Sequence, residues 1–312
     1  MKSISLVLGS GGARGYAHIG VIRALLENGY EIKSIAGCSM GAVVGGFYAA
    51  GKLDEFEQWT RSLSYLDVLK LVDISLLSNG AIRGDKLFNR LSQMLNGIQI
   101  QDLNIPFTAV ATDLIQQKEI WFTTGALEEA IRASSAIPSL LMPVVKNGRV
   151  LVDGAVLNPL PITPVVGTHA EAIIAVDLSA EVPMPGGRSS AEDEEKVAAH
   201  KLDKQNWFSQ MKLKTLQFFE RSGDEEEETE RVFSANLGKL GVVYQMFDTM
   251  QASLIQYKIA GYRPDLLIRM PKDSIRFHEF YRAEEQIQLG YDIACRALEG
   301  FERGESNTYG QL

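Results

Sequence analysis

Positive charge, cysteine, histidine and long apolar runs are all scarce in this chain, and each scarcity removes a class of protein. Lysine and arginine number 31 against 39 aspartates and glutamates, a formal net charge of −8 over 312 residues. That balance argues against a binder that draws its affinity from neutralised phosphates, so no nucleic-acid partner is expected. Much of the acidic excess is local, in the run Glu225, Glu226, Glu227, Glu228 and Glu230. The two cysteines, Cys38 and Cys295, are too few for a disulfide framework and fit a reducing compartment. Nowhere does the chain approach the ~20 apolar residues that span a bilayer. The apolar run from Ile4 to Leu8 is too short for a secretory leader and lacks a cleavage pattern. A cytoplasmic chain is expected, with contact at the membrane periphery left open.

What is present is glycine and a regular alternation of strands and helices. Ser3 to Leu8 reads as a buried strand, followed by Gly9-Ser10-Gly11-Gly12-Ala13-Arg14-Gly15 and a helix from Tyr16 to Glu27. A strand from Ile32 to Ala36 runs into Gly37-Cys38-Ser39-Met40-Gly41 and a helix from Met40 to Ala50. Asp54 and Glu57 have the spacing of a capping box. Gly84-Asp85 opens a further helix that closes at Asn96-Gly97. Strands follow at Phe107–Thr112 and Lys118–Phe122, then a short helix over Ala126–Ala133. Asn147-Gly148 between Pro143–Lys146 and Arg149–Val152 predicts a type I′ hairpin that ends at Asp153-Gly154. Another buried strand spans Glu171–Leu178.

Past Ser179 the texture changes. Residues 181–232 read as a charged linker or insertion. Residues 233–302 read as C-terminal helices plus a late strand, Asp265–Met270, packed on a core of residues 1–180; residues 303–312 read as a tail. Leu237, Leu240, Val243, Phe247, Met250, Leu254 and Tyr257 recur at helical spacing and predict a core-facing helix. An amphipathic helix is predicted over Glu279–Leu298. Short connections between alternating elements give an α/β fold, with a mostly parallel central sheet flanked by helices and a helical C-terminal extension.

A strand that turns into a helix through G-x-S-x-G exposes a serine at the carboxyl end of a sheet, and the helix N-terminus favours negative charge there. Ser39 is therefore a candidate nucleophile, against the plainer reading of a tight strand–helix turn. A serine needs a base. The chain has only four histidines, and His18, His169, His200 and His278 are all poorly placed for it. Asp153, at the tip of a β-element and next to Gly154, is the better candidate, although most Asp-Gly pairs are turns. Gly11 and Gly12 can turn N–H groups toward an oxyanion. A dinucleotide fingerprint is the competing reading, but Arg14 stands where that pattern wants glycine, and the elbow occupies the place of a ribose-binding acid.

Taken together, the glycine loop, the Ser39 elbow, Ala133-Ser134-Ser135-Ala136-Ile137-Pro138 and Asp153-Gly154-Ala155 resemble bacterial patatin-like phospholipases. The resemblance is to the subgroup related to the catalytic domain of neuropathy target esterase, and it covers roughly the first 180 residues. It implies a patatin-like three-layer sandwich and a Ser39–Asp153 dyad without histidine. It also implies an oxyanion hole from Gly11 and Gly12 with help from Ala13. Arg14, which falls on the family's arginine, would stabilise the loop or attract an anionic head group. The implied substrate is a lipid or other acyl ester, with no metal and no organic cofactor. Ser10 and Ala155 depart from the glycines usual at their positions. A catalytically weak lipid-binding protein on the same fold and a nucleotide-binding α/β module are the alternatives.

Overall fold

The computed structural model describes residues 2–71, 84–138, 140–185 and 228–305, the last of these with side chains from Gln245 onward. Two compact units divide the chain: Met1–Val182 with Gln245–Leu312, and Pro183–Tyr244. The sheet belongs to the first. Most of the expected charged segment 181–232, the side chains of Leu237, Leu240 and Val243, and the tail beyond 305 lie outside the described residues.

Eight strands form one mixed sheet: β1 (Lys2–Leu8), β2 (Tyr30–Cys38), β3 (Phe107–Asp113), β4 (Lys118–Phe122), β5 (Val144–Lys146), β6 (Arg149–Asp153), β7 (Ala172–Ala180) and β8 (Leu266–Pro271). Their order is β5-β6-β3-β2-β1-β7-β8, with β4 on β3. The five strands β3, β2, β1, β7 and β8 are mutually parallel. β4, β5 and β6 pair antiparallel with their neighbours. The helices are α1 (Ala17–Glu27), α2 (Met40–Ala49), α3 (Leu53–Arg61), α4 (Tyr65–Leu71), α5 (Asp85–Leu95), α6 (Leu127–Ser134), α7 (Glu228–Gly261) and α8 (Ala283–Glu302).

The main core lies between one face of the sheet and helices α1, α2, α5, α6 and α8. The second face is covered by Leu160, Ile162 and Val165 together with Ile255 of α7, which gives the third layer. α1 is buried on nearly every side, because α8 packs over it. A Cβ on Gly290 would lie 2.1 Å from the Ala17 carbonyl oxygen.

Two local expectations are corrected. Asp54 and Glu57 form no capping box: Lys52 occupies the N-cap without a side-chain bond. Glu57 is buried instead between Arg23 and Arg61, whose guanidinium groups bond to it. The described part of α7 turns Gln251 and Ile255 into the core, while Met250 and Tyr257 of the expected stripe are exposed. Phe247 and Leu254 of the stripe are half-buried beside Gln251 and Ile255, so the buried face is part polar and only partly follows the apolar periodicity.

Candidate active site

The site begins with strand pairing on β3. Ala109 pairs with Gly37 of β2 and with Phe122 of β4, so β2 and β4 hold opposite edges. Ala111 pairs with Ile120 of β4 and with Asp153 of β6, so β6 holds the edge that β2 has just left. Cys38 is the last β2 residue on that edge, opposite Val110, and Asp153 faces the next position. Two strands meet end to end along one edge, and the elbow and the aspartate meet at the junction. Glycine is required there. A Cβ on Gly154 would lie 2.2 Å from the Val110 carbonyl oxygen and 3.0 Å from Cys38 Sγ.

Ser39 takes φ 54° and ψ −122°, a backbone state that costs a non-glycine residue on the order of 1–3 kcal/mol. The turn is held from both sides. Ser39 N–H donates to Ser134 Oγ at 3.0 Å, and that hydroxyl donates to the Val110 carbonyl at 2.6 Å. A Cβ on Gly41 would fall 2.1 Å from the Leu8 carbonyl oxygen, so α2 rests directly on the end of β1.

Ser39 Oγ donates to Asp153 Oδ2 at 2.6 Å. Ser39 is 4% exposed and Asp153 1%. The Ala155 N–H donates to Asp153 Oδ1 at 2.8 Å, and the Cys38 thiol lies 3.8 Å from the same oxygen. Burial raises the Asp153 carboxyl from 3.8 to about 6, against the opposing effect of the Ser39, Ala155 and Cys38 bonds. The Cys38 thiol is pushed up by burial and by Asp153, so it stays protonated. Among the described residues, the hydrogen-bond partners of the Asp153 carboxylate are Ser39, Ala155 and Cys38, none of them a histidine. His18 is buried and its Nε2–H donates to the Gly9 carbonyl at 2.8 Å; burial lowers it to about 4, leaving it neutral.

The glycine loop follows β1 directly. Gly11 and Gly12 open a 3-10 turn, Gly12–Tyr16, and Gly12 takes φ +57°. Among the described residues no acceptor lies on the Gly11 or Gly12 N–H, whereas the Ala13 N–H is spent on the Phe277 carbonyl at 2.8 Å. Arg14 is buried. Its Nε donates to the Gly11 carbonyl at 3.2 Å, one terminal nitrogen to the Lys272 carbonyl at 3.1 Å, and the other to Asp248 at 3.4 Å. These bonds tie the loop to Lys272 and to α7.

Several supporting contacts could not be read from the sequence, even where the residues themselves were noted. Ser134 bridges Ser39 and β3, and the Ala136 carbonyl accepts the Asp153 N–H at 2.8 Å. The Ser10 hydroxyl donates to Gln251 Oε1 of α7, and the Ser10 N–H donates to the Pro159 carbonyl at 2.9 Å. Glu119 gathers Lys258 Nζ at 2.7 Å, Asn158 Nδ2 at 2.8 Å and Trp121 Nε1 at 3.0 Å. These contacts join β4, α7 and the segment after Asp153. A separate cavity of about 280 Å³ lies at the amino ends of β2 and β3, lined by Ser34, Phe107, Thr108 and Thr168. Ser39 lies past the carboxyl end of β2, away from this cavity.

Residues 6–166 match the patatin-like phospholipase family. An uncharacterized NTE family protein of Mycobacterium tuberculosis is 38% identical over 341 residues, covering 96% of this chain and 92% of the relative. "Lysophospholipase NTE1" of Cryptococcus neoformans is 34% identical over 185 residues, 57% of this chain but 11% of that protein. "Patatin-like phospholipase domain-containing protein 7" of the rat is 32% identical over 184 residues, 57% of this chain and 14% of its own length. The family match and these relatives thus place the chain among carboxylic ester hydrolases. More narrowly, the chain belongs to the patatin-like phospholipase family.

Proposed function

We propose that the chain cleaves the carboxylic ester of a phospholipid or lysophospholipid through Ser39 and Asp153. The observation that carries this reading is the 2.6 Å bond from a strained, buried serine hydroxyl to a buried carboxylate. Asp153 accepts the Ser39 proton as Oγ attacks the ester carbonyl carbon. The oxyanion that forms is met by the Gly11 and Gly12 N–H groups, because the Ala13 N–H is already engaged. Protonated Asp153 then returns its proton to the leaving alcohol as the C–O bond breaks, which leaves an acyl-enzyme on Ser39. Water, deprotonated by Asp153, releases the fatty acid and regenerates the serine.

Arg14 serves here as a structural tie of the oxyanion loop, since it is buried and each guanidinium nitrogen bonds within the protein, to the Gly11 and Lys272 carbonyls and to Asp248. The lysophospholipase name of the fungal relative favours single-chain phospholipids as the substrate class. A lipid-class screen that compares the wild-type chain with Ser39→Ala tests the reading. Fatty-acid release from lysophospholipid, absent in the variant, is expected. Equal release by both, or release from no lipid ester, overturns it.

A further inference from the structure

Two turns project side by side past the carboxyl ends of the parallel strands. The turn between β3 and β4 leaves Leu114 and Ile115 43% and 69% exposed. The β5–β6 hairpin and its approach leave Met142 and Val145 46% and 74% exposed. The Leu114 N–H donates to the Val150 carbonyl at 2.9 Å, and Val150 pairs with Val145. The tips are therefore one structure, with Leu114, Val150 and Val145 in a row.

The charge of this tip differs from that of the molecule. In a chain of net charge −8, residues 114–118 and 140–150 contain Lys118, Lys146 and Arg149 and no acidic residue. Lys146 bonds to Glu129 on α6, and Arg149 stands 3.8 Å from buried Asp113. All three cations are nevertheless exposed. The tip also points the right way. Val110 faces the last residue of β2, so Leu114 stands four residues, about 13 Å, beyond the strand end that carries Ser39.

We propose that this tip docks on an anionic lipid surface. Leu114, Ile115, Met142 and Val145 enter the acyl boundary, while Lys118, Lys146 and Arg149 meet anionic head groups. The Ser39 end of the sheet then faces the lipid. A second copy of this chain fits less well, because a two-fold contact would set the same cations against each other. The proposal rests on the lipid-ester reading above, which supplies the reason for docking.

Partition of the full Ser39→Ala chain tests it without hydrolysis, using vesicles of phosphatidylcholine alone and of phosphatidylcholine with equimolar phosphatidylglycerol. Binding to the anionic vesicles, weakened by salt, is expected. Ile115→Ser combined with Val145→Ser lowers the partition coefficient about tenfold or more. Lys118→Gln and Lys146→Gln each lower it about fivefold on anionic vesicles only. With Ser39 intact, the same tip variants keep their melting temperature and their hydrolysis of a soluble short-chain ester. The proposal is overturned if the Ser39→Ala chain ignores anionic vesicles. It is also overturned if the tip variants partition unchanged, or only dissolve an oligomer seen by sedimentation. Vesicle binding is read on an inactive chain, so its failure is separable from a failure of the lipid-ester reading.

Discussion

At the scale of single residues, the central pair is a hydroxyl and a carboxyl that share one hydrogen bond almost out of contact with water. An exposed aspartate near 3.8 is a weak base toward serine. Burial lifts Asp153 to about 6, into the range where a catalytic histidine usually works. Only the ionised carboxylate can accept the Ser39 proton, and it is lost as pH falls through that value. The acid limb of a kcat/KM profile on a soluble ester is therefore expected near pH 6. Asp153→Asn should lower kcat by about 10²–10⁴ and erase that limb, because an amide takes no proton. A limb retained in the variant would assign it to another group. Ser39 and the flanking glycines were legible in the sequence as an elbow. Histidine scarcity and the Asp-Gly pair brought Asp153 forward without deciding its partner.

At the scale of elements, the geometry depends on which strands share an edge. The Asn147-Gly148 hairpin was legible because its chemistry is local: both residues take positive φ, 51° and 75°. That β6 takes over the β3 edge where β2 departs is a non-local fact that no short motif records. Ser134 stood in the segment that carries the resemblance, but its bridging role was not legible for the same reason, since its partners are the elbow and β3. Gly154→Ala drives a methyl into Val110 at this junction and is expected to cost about 1–3 kcal/mol in urea unfolding, with loss of activity.

α7 shows a second limit. Its inner face carries Gln251, which accepts from Ser10, and Asp248, which pairs with Arg14. These two contacts bracket Gly11, Gly12 and Ala13 of the glycine loop from one helix. In a double-mutant cycle, Ser10→Ala and Gln251→Leu should couple by about 1 kcal/mol in the rate of acyl transfer, with KM little changed. Additive effects would detach α7 from the loop. Ser10, a departure from the usual glycine, acquires a partner by this account.

At the scale of the whole molecule, the buried Ser39–Asp153 pair is held at a thermodynamic cost. The folded state binds a proton on Asp153 more tightly than the unfolded chain does. Stability therefore falls as pH rises from 3.8 to about 6, by on the order of 3 kcal/mol. Asp153→Asn removes that term. It should melt at or above the wild-type temperature at pH 7, with the difference vanishing below about pH 4. A lower melting temperature at pH 7 would make Asp153 a net structural support. The order of strands and helices, and the core they enclose, could be read largely from apolar runs and turn residues. The helix α7 could be read in the same way, but not its inner face, which mixes Gln251 with Ile255.

The most direct measurement is the second-order rate at which a fluorophosphonate modifies Ser39, followed by intact mass across pH in the wild-type chain and in Asp153→Asn. If Asp153 is the base, the wild-type rate rises with a single ionisation near pH 6 and then levels, while the variant is slow and flat. A variant that labels as fast as the wild type, or that keeps the same ionisation, would contradict the dyad.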